Sequence, residues 1–264
     1  MATYSTNNFD RNFDDVKELF EERIYGSIKG QYRLDMVLED VDNVLTTEYM
    51  KLVDIGGGLG QVSLAYARKG WSVDYYDISS EMKIHLERQW DNHLKNIKKE
   101  HDTGSPGKLT THLGGIRDAI ELFQSLKGRK DYLLVTIHAV IEWLRSPLED
   151  LADLLTTLPT NTLLSLLYHN SIPSAKSKKR DKPMRPNKLT PYHEFDAQTI
   201  EKLLQSKGFV IKRCTGIRVR KFARHGSHDE LLEYLRQERE IARVEPYCRQ
   251  GRYNHIVCVK EVEV

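Results

Sequence analysis

Residues 54–60, DIGGGLG, constrain this chain more than any other stretch. They follow a short apolar run over 51–55 and precede a helical pattern over 61–69, with Gly70 placed as its C-cap. A strand that ends in glycines and opens a helix must turn sharply and let a ligand approach the backbone closely. The helix that follows offers unpaired N–H groups at its N-terminus. Asp54 precedes Gly56, Gly57 and Gly58, and Asp77 closes the next apolar run over 71–77. A carboxylate at that strand end can accept hydrogen bonds from both hydroxyls of a ribose. An acidic residue beside the loop suits a ligand with a cationic amino group and disfavours an anionic pyrophosphate. A nicotinamide cofactor is the rival reading, and a tight turn with no ligand is the plain one.

The rest of the chain repeats the same rhythm. Helical patterns over 14–26 and 32–45, with Gly26 and Gly30 loosening the chain between them, precede the first strand and predict a cover for the sheet or its pocket. Further strands are expected over 109–113, 131–138 and 162–168, and helices over 81–100, 118–126 and 147–158. After a break, a helix over 197–208, a strand over 208–222, a helix over 228–245 and a strand over 252–262 complete the pattern. Repeated β-α-β units give a parallel sheet with helices on both faces. The expected fold is therefore α/β: a doubly wound, mostly parallel, seven-stranded sheet with an antiparallel C-terminal strand pair and an N-terminal helical cover. One domain spans 1–264, divided into N-terminal helices (1–50), a nucleotide-binding core (51–170), a basic insertion or lid (171–195) and the closing helices and strands (196–264). The first ten residues read as a loose tail.

Composition narrows the class. With 39% hydrophobic residues in 264 the chain can bury a core. No window holds the roughly 18 uncharged apolar residues of a membrane span. The three cysteines, Cys214, Cys248 and Cys258, are odd in number and widely spaced. Neither a disulfide framework nor a zinc site is expected, and a reducing cytoplasm fits. The net charge of +2 hides an asymmetry: residues 171–225 carry 15 Lys/Arg against four Asp/Glu. A basic block on an acidic body suggests a polyanionic partner.

The loop Asp54-x-Gly56-x-Gly58-x-Gly60 paired with Asp77 resembles the class I S-adenosylmethionine (SAM) methyltransferases. LGGIRD (113–118) follows the third strand, where such enzymes hold the adenine, and HAVIEW (138–143) follows the fourth, where methyl donor and acceptor meet. Four separated segments narrow the resemblance: RNFDDVKELFEERIYGSIKGQYR near the start, HAVIEW, SLLYHN after the fifth strand and EPYCRQGRYNHI near the end. From about Arg11 onward the chain is similar to the bacterial tRNA 5-carboxymethoxyuridine methyltransferases. The resemblance implies SAM-dependent methyl esterification of the carboxylate of 5-carboxymethoxyuridine at the tRNA wobble position. It further implies that Arg33 binds the SAM carboxylate, that Gly56 and Gly57 line the methionine portion, and that Asp77 holds the ribose. Ile116 and Arg117 would lie beside the adenine and His138 near the reactive end.

A carboxylate with a pKa near 4 is ionised at pH 7 and needs no general base. Its catalyst must align it and exclude water. One or two Arg, Tyr or Asn donors would hold it; the candidates are Tyr168, Asn170, Arg218, Arg252 and Tyr253. Lys176, Lys178, Lys179, Arg180, Lys182, Arg185 and Lys188 would neutralise tRNA phosphates, and Tyr192 and His193 could stack on bases or anchor the segment. A SAM-dependent enzyme with a small-molecule acceptor is the alternative, and a non-catalytic RNA-binding module is a third reading.

Overall fold

The computed structural model describes residues 10–16, 18, 22, 26–100, 106–126, 132–171, 191–220 and 227–261. Seven strands form one sheet: β1 (Lys51–Ile55), β2 (Ser72–Asp77), β3 (Lys108–Leu113), β4 (Leu134–His138), β5 (Leu163–His169), β6 (Phe209–Ile217) and β7 (Tyr253–Lys260). Their order is β3-β2-β1-β4-β5-β7-β6. The first five pair in parallel, and β7 runs antiparallel between β5 and β6. The expected sheet is therefore present. Strand order reverses between β1 and β4, which opens a crevice beyond their carboxyl ends.

Seven helices are described: α1 (Ile28–Asp42), α2 (Gln61–Arg68), α3 (Ser80–Glu100), α4 (Ile116–Ser125), α5 (Pro147–Thr157), α6 (Ala197–Ser206) and α7 (His228–Ile241). Strand parity sorts the core into layers, because alternate side chains point to opposite faces. Val53, Ile55, Val135, Ile137, Leu164 and Leu166 pack with Ile120, Leu154 and Ile200 of α4, α5 and α6. On the other face Leu52, Leu134, Leu163 and Val257 pack with Tyr66, Leu86 and Trp90 of α2 and α3. Met36 and Val37 of α1 and Leu235 of α7 cover Leu167, Ile217 and Tyr253 at the far end of that face.

Several boundaries differ from the sequence expectation for local reasons. Ser27 Oγ accepts from the Gly30 amide, so α1 begins at Ile28 and takes Gly30 into its buried face. The Gly115 amide donates to Asp118 Oδ2, which starts α4 at Ile116 rather than at 118. β5 runs on to His169 because that residue pairs with Tyr253 of β7. Most of the helix expected over 14–26 lies outside the described residues; residues 14–16 form a single 3-10 turn. Among the described residues no helix is long and apolar enough to cross a membrane.

Candidate active site

The crevice beyond β1 and β4 is a cavity lined from every element around it. Its floor is the glycine loop. Gly56 and Gly58 adopt φ values of 65° and 56°, the left-handed region that glycine tolerates. Asp54 does not face the ligand space alone. Its Oδ2 accepts from Ser63 Oγ at 2.7 Å and its Oδ1 from Thr136 Oγ1 at 2.6 Å. Burial raises its pKa against the pull of those hydroxyls. Asp54 thus ties the loop to α2 and β4, while still lining the cavity. Asp77 accepts from the Gly58 and Ser79 amides at 2.8 Å each, and burial pushes its carboxyl up to about 6.

The end of β4 turns through Ala139, held at φ 56° with its amide bonded to Leu167 O at 2.8 Å. A positive φ in a non-glycine residue is strained. Here it swings the chain into a 3-10 turn, Ile141–Trp143, and brings Val140, Glu142 and Trp143 into the cavity wall. Sequence reasoning quoted HAVIEW but did not single out Glu142. Its side chain is 1% exposed, and neither oxygen has a well-formed hydrogen bond. Burial pushes its carboxyl up to about 8, opposed by its own amide, Arg33 and the His169 amide. His138 lines the same wall and bonds Ser165 Oγ through Nε2 at 2.8 Å. Burial, with His255 and Arg33 nearby, holds it well below its ordinary pKa, so the ring is neutral.

Arg33 enters from α1 and lies over the Tyr253 ring, 5.2 Å from its centroid. His169, at the end of β5, stacks edge-on to Tyr253 at 4.5 Å. Burial and then Arg252, Arg218 and Arg33 hold His169 down to about 4. Burial and repulsion from Arg252 also lower Arg218. The ends of β5, β6 and β7 therefore gather three guanidiniums around one tyrosine and one neutral histidine. Among the described residues neither Arg218 nor Arg252 forms a salt bridge with a carboxylate.

The N-terminal segment closes the top. Arg11 N donates to Trp143 O at 3.2 Å, and Phe13 packs edge-on to Trp143 at 4.9 Å. Asn12 Nδ2 donates to Ile78 O at 3.0 Å. Asp10, read from the sequence as the end of a tail, accepts from the Arg145 amide at 2.9 Å and lines the cavity.

Three expected residues have other placements. Tyr168 is fully buried and packs edge-on to Phe195, away from the cavity wall. The Asn170 side chain donates through Nδ2 to Arg249 O and Gly251 O at 2.8 and 2.9 Å, which fixes the approach to β7 rather than a ligand. Arg117 pairs with the buried Asp150 while its own side chain is 68% exposed and outside the cavity wall, whereas its neighbour Ile116 does line the cavity. Parity explains Tyr168: it lies on the opposite face of β5 from Leu167 and His169. Gly114, Gly115, Ile78 and Met82 complete the wall beside Ile116. The candidates Lys176, Lys178, Lys179, Arg180, Lys182, Arg185 and Lys188 lie outside the described residues. At the end of that stretch, the amides of Tyr192 and His193 donate to Glu142 O at 3.1 and 3.2 Å, and Tyr192 packs edge-on to Trp143. Tyr192 anchors the segment to the cavity wall.

Residues 5–213 match a family model described as a methyltransferase domain. The chain is 28% identical to the tRNA 5-carboxymethoxyuridine methyltransferase of Escherichia coli K12, over 95% of this chain and 97% of that protein. Among solved structures it superposes on magnesium protoporphyrin IX methyltransferase from Synechocystis PCC 6803 with bound SAH. That match has a TM-score of 0.59 at 15% identity and covers 94% of this chain and 96% of that one. The cyclopropane synthase MmaA2 of Mycobacterium tuberculosis matches with a TM-score of 0.56 at 14% identity, over 98% and 99% of the two chains. At such identities these two structures establish the fold.

Proposed function

Because the chain belongs to the methyltransferase-domain family, we propose that it transfers a methyl group from SAM to the carboxylate of 5-carboxymethoxyuridine in tRNA. The observation that carries the acceptor is Tyr253 and His169 in the cavity wall, with Arg252 and Arg218 near enough to help lower the pKa of His169. Two guanidiniums without carboxylate partners among the described residues complement a bound carboxylate, and an anion beside them would offset the burial and the Arg252 repulsion that lower Arg218. The curated relative, at 28% identity over nearly the whole chain, supports the same acceptor.

The cavity fits SAM on its own features. Asp77 stands at the end of β2 where a ribose would meet it, Arg33 supplies a cation for a carboxylate, and the glycine loop permits close approach. Gly56, Gly57 and Gly58 would line the methionine portion, Ile116 the adenine, and His138 the reactive end. SAM supplies an electrophilic methyl on a sulfonium. The protein's own work is alignment and exclusion of water. Phe13, Val140, Trp143, Leu144 and Leu167 make the apolar wall. Arg218 and Arg252 orient the acceptor carboxylate without protonating it. His138 and His169, both held neutral, do not act as acids toward the attacking oxygen. The ester oxygen takes the methyl, and the acceptor's negative charge is cancelled as the sulfonium becomes a thioether. The basic stretch of 176–188 supplies the phosphate contacts.

The test is methyl transfer from isotope-labelled SAM to two tRNA pools, read by nucleoside mass spectrometry. One pool carries 5-carboxymethoxyuridine and the other is an unmodified transcript. Label recovered as a base-labile ester in the modified pool alone is expected. No label in either pool, with SAM binding intact, overturns the tRNA reading in favour of a small-molecule acceptor. Replacing Arg218 and Arg252 together by Met should lower turnover of the modified tRNA at least about tenfold and leave SAM affinity unchanged.

A further inference from the structure

Arg218 is the first residue after β6, and its φ of 62° lies in the left-handed region. An arginine in that region holds a strained backbone, and such strain persists only where the surroundings over-determine it. Two hydrogen bonds do so. The carbonyl of Arg218 accepts from the Arg252 amide at 3.2 Å. The amide of Val219 donates to Glu238 Oε1 at 3.0 Å. That carbonyl and that amide belong to one peptide unit, which is planar. The plane is gripped at both ends, by the backbone just ahead of β7 and by a side chain of α7. The chain before it is fixed as well. Gly216 N donates to Ala242 O at 2.8 Å, and a Cβ on Gly251 would stand 2.3 Å from Ile217 N.

Glu238 is an unusual occupant of its position. Leu231, Leu235, Glu238 and Ala242 recur at helical spacing, and the three apolar members pack with Met36 and Val37 of α1 and Ile217 of β6. An apolar side chain would suit the fourth place. A carboxyl that is 0% exposed gives up its water instead. Its Oε2 has no well-formed hydrogen bond, while its Oε1 takes the Val219 amide. A buried polar group kept on these terms calls for an explanation beyond packing. The guanidinium that follows β6 supplies one. After burial and Arg252, Arg218 helps to lower His169, and burial and then Arg252 lower Arg218 itself. Arg218 therefore reaches the same neighbourhood as His169, Arg252 and Tyr253.

We propose that Glu238 is a positioning residue: it sets the peptide after Arg218, and with it the direction in which Arg218 meets the acceptor carboxylate. Glu238 lines no part of the cavity and acts only through the turn. This inference rests on the acceptor reading above. What the turn requires of position 238 is an acceptor oxygen at the right reach. The side-chain carbonyl of a glutamine can take the Val219 hydrogen in the same way, a leucine cannot, and an aspartate is one methylene short. Freed at that end, the peptide turns, Arg218 relaxes toward negative φ, and its guanidinium leaves its place beside Arg252.

Steady-state transfer to tRNA carrying 5-carboxymethoxyuridine, with SAM affinity measured beside it by calorimetry, tests this on single and double variants. Arg218→Met is expected to lower kcat/KM for the tRNA at least about tenfold. Glu238→Leu and Glu238→Asp should each lower it to a similar extent, through KM for the tRNA, with SAM affinity unchanged. Glu238→Gln should recover most of that loss. The double variant Arg218→Met/Glu238→Leu should be no worse than Arg218→Met alone, because Glu238 acts through the residue already removed. A residue that merely supports the fold would add its own loss in that background and would move SAM affinity too. Multiplying losses in the double variant overturn the inference, as does a Glu238→Asp enzyme with the wild-type kcat/KM or a Glu238→Gln enzyme as impaired as Glu238→Asp. The aspartate variant keeps the charge, and it decides the matter should thermal denaturation find the leucine variant unfolded. An Arg218→Met enzyme with the wild-type kcat/KM overturns the acceptor role of Arg218 and this inference with it.

Discussion

Gly57 has no room for a methyl group. A Cβ there would stand 2.6 Å from the Tyr75 ring and 2.7 Å from Asp54 Oδ2. Tyr75 cannot yield, since its hydroxyl donates to Gly58 O at 2.6 Å, and Asp54 is held by Ser63 and Thr136. Gly57→Ala should therefore cost about 1–3 kcal/mol of stability, read by thermal denaturation, and should weaken SAM binding through displacement of the loop. The sequence marked this residue because glycines between a strand and a helix have a local cause. It could not mark Glu142 or His169 in the same way. Nothing near them in the chain distinguishes a buried carboxyl or imidazole from an exposed one, and both acquire their character from burial and from the arginines that tertiary structure brings near them. The Tyr168 expectation failed for a related reason: adjacency to a strand end says which residues are near the cavity, but one-residue parity decides which face they take.

At the scale of elements, β5 leads directly into the basic stretch, which returns to the fold at Tyr192 and His193 on the carbonyl of Glu142. Replacing Lys178, Lys179 and Arg180 by Ala should weaken tRNA binding and flatten its dependence on salt. The slope of log affinity against log salt should fall by roughly 0.7–0.9 for each phosphate that the variant no longer neutralises. Transfer to a free nucleoside bearing the same carboxylate should be unchanged. Equal salt slopes for variant and wild type would remove this stretch from the interface. Elements as such were legible, because a period of two or of 3.6 in apolar residues survives without tertiary context. Their ends were less so, because caps such as Ser27 and Asp118 and pairing such as His169 with Tyr253 settle them.

Across the whole molecule, Asp40 joins the two ends of the chain. It lies on α1 and holds His255 of β7 and Arg243 after α7, more than 200 positions away, with both Asp40 and His255 fully buried. Removing one partner of a buried charged cluster leaves the others uncompensated. Asp40→Ala should cost about 3–5 kcal/mol, measured by urea unfolding at pH 7. The sign with pH follows from its lowered pKa. The stabilisation from Asp40 is complete above the unfolded value near 4 and is lost as pH falls through the folded one. The variant and the wild type should therefore converge in stability at acid pH. A constant gap between them would show that Asp40 acts through packing alone.

The sequence by itself determined the alternation of strands and helices, the glycine loop with Asp54 and Asp77, and the basic character of the stretch after β5. Each of these is written in neighbouring residues, through periodicity, glycine geometry or charge. Tertiary structure decided which side chains share the cavity. It placed Arg33, His138, Glu142, His169 and Tyr253, from four distant parts of the chain, in one wall. It also set the proton states of His138, Glu142 and His169, because burial and the charges across the crevice depend on where the sheet and α1 bring those residues together, and no spacing along the chain encodes that distance.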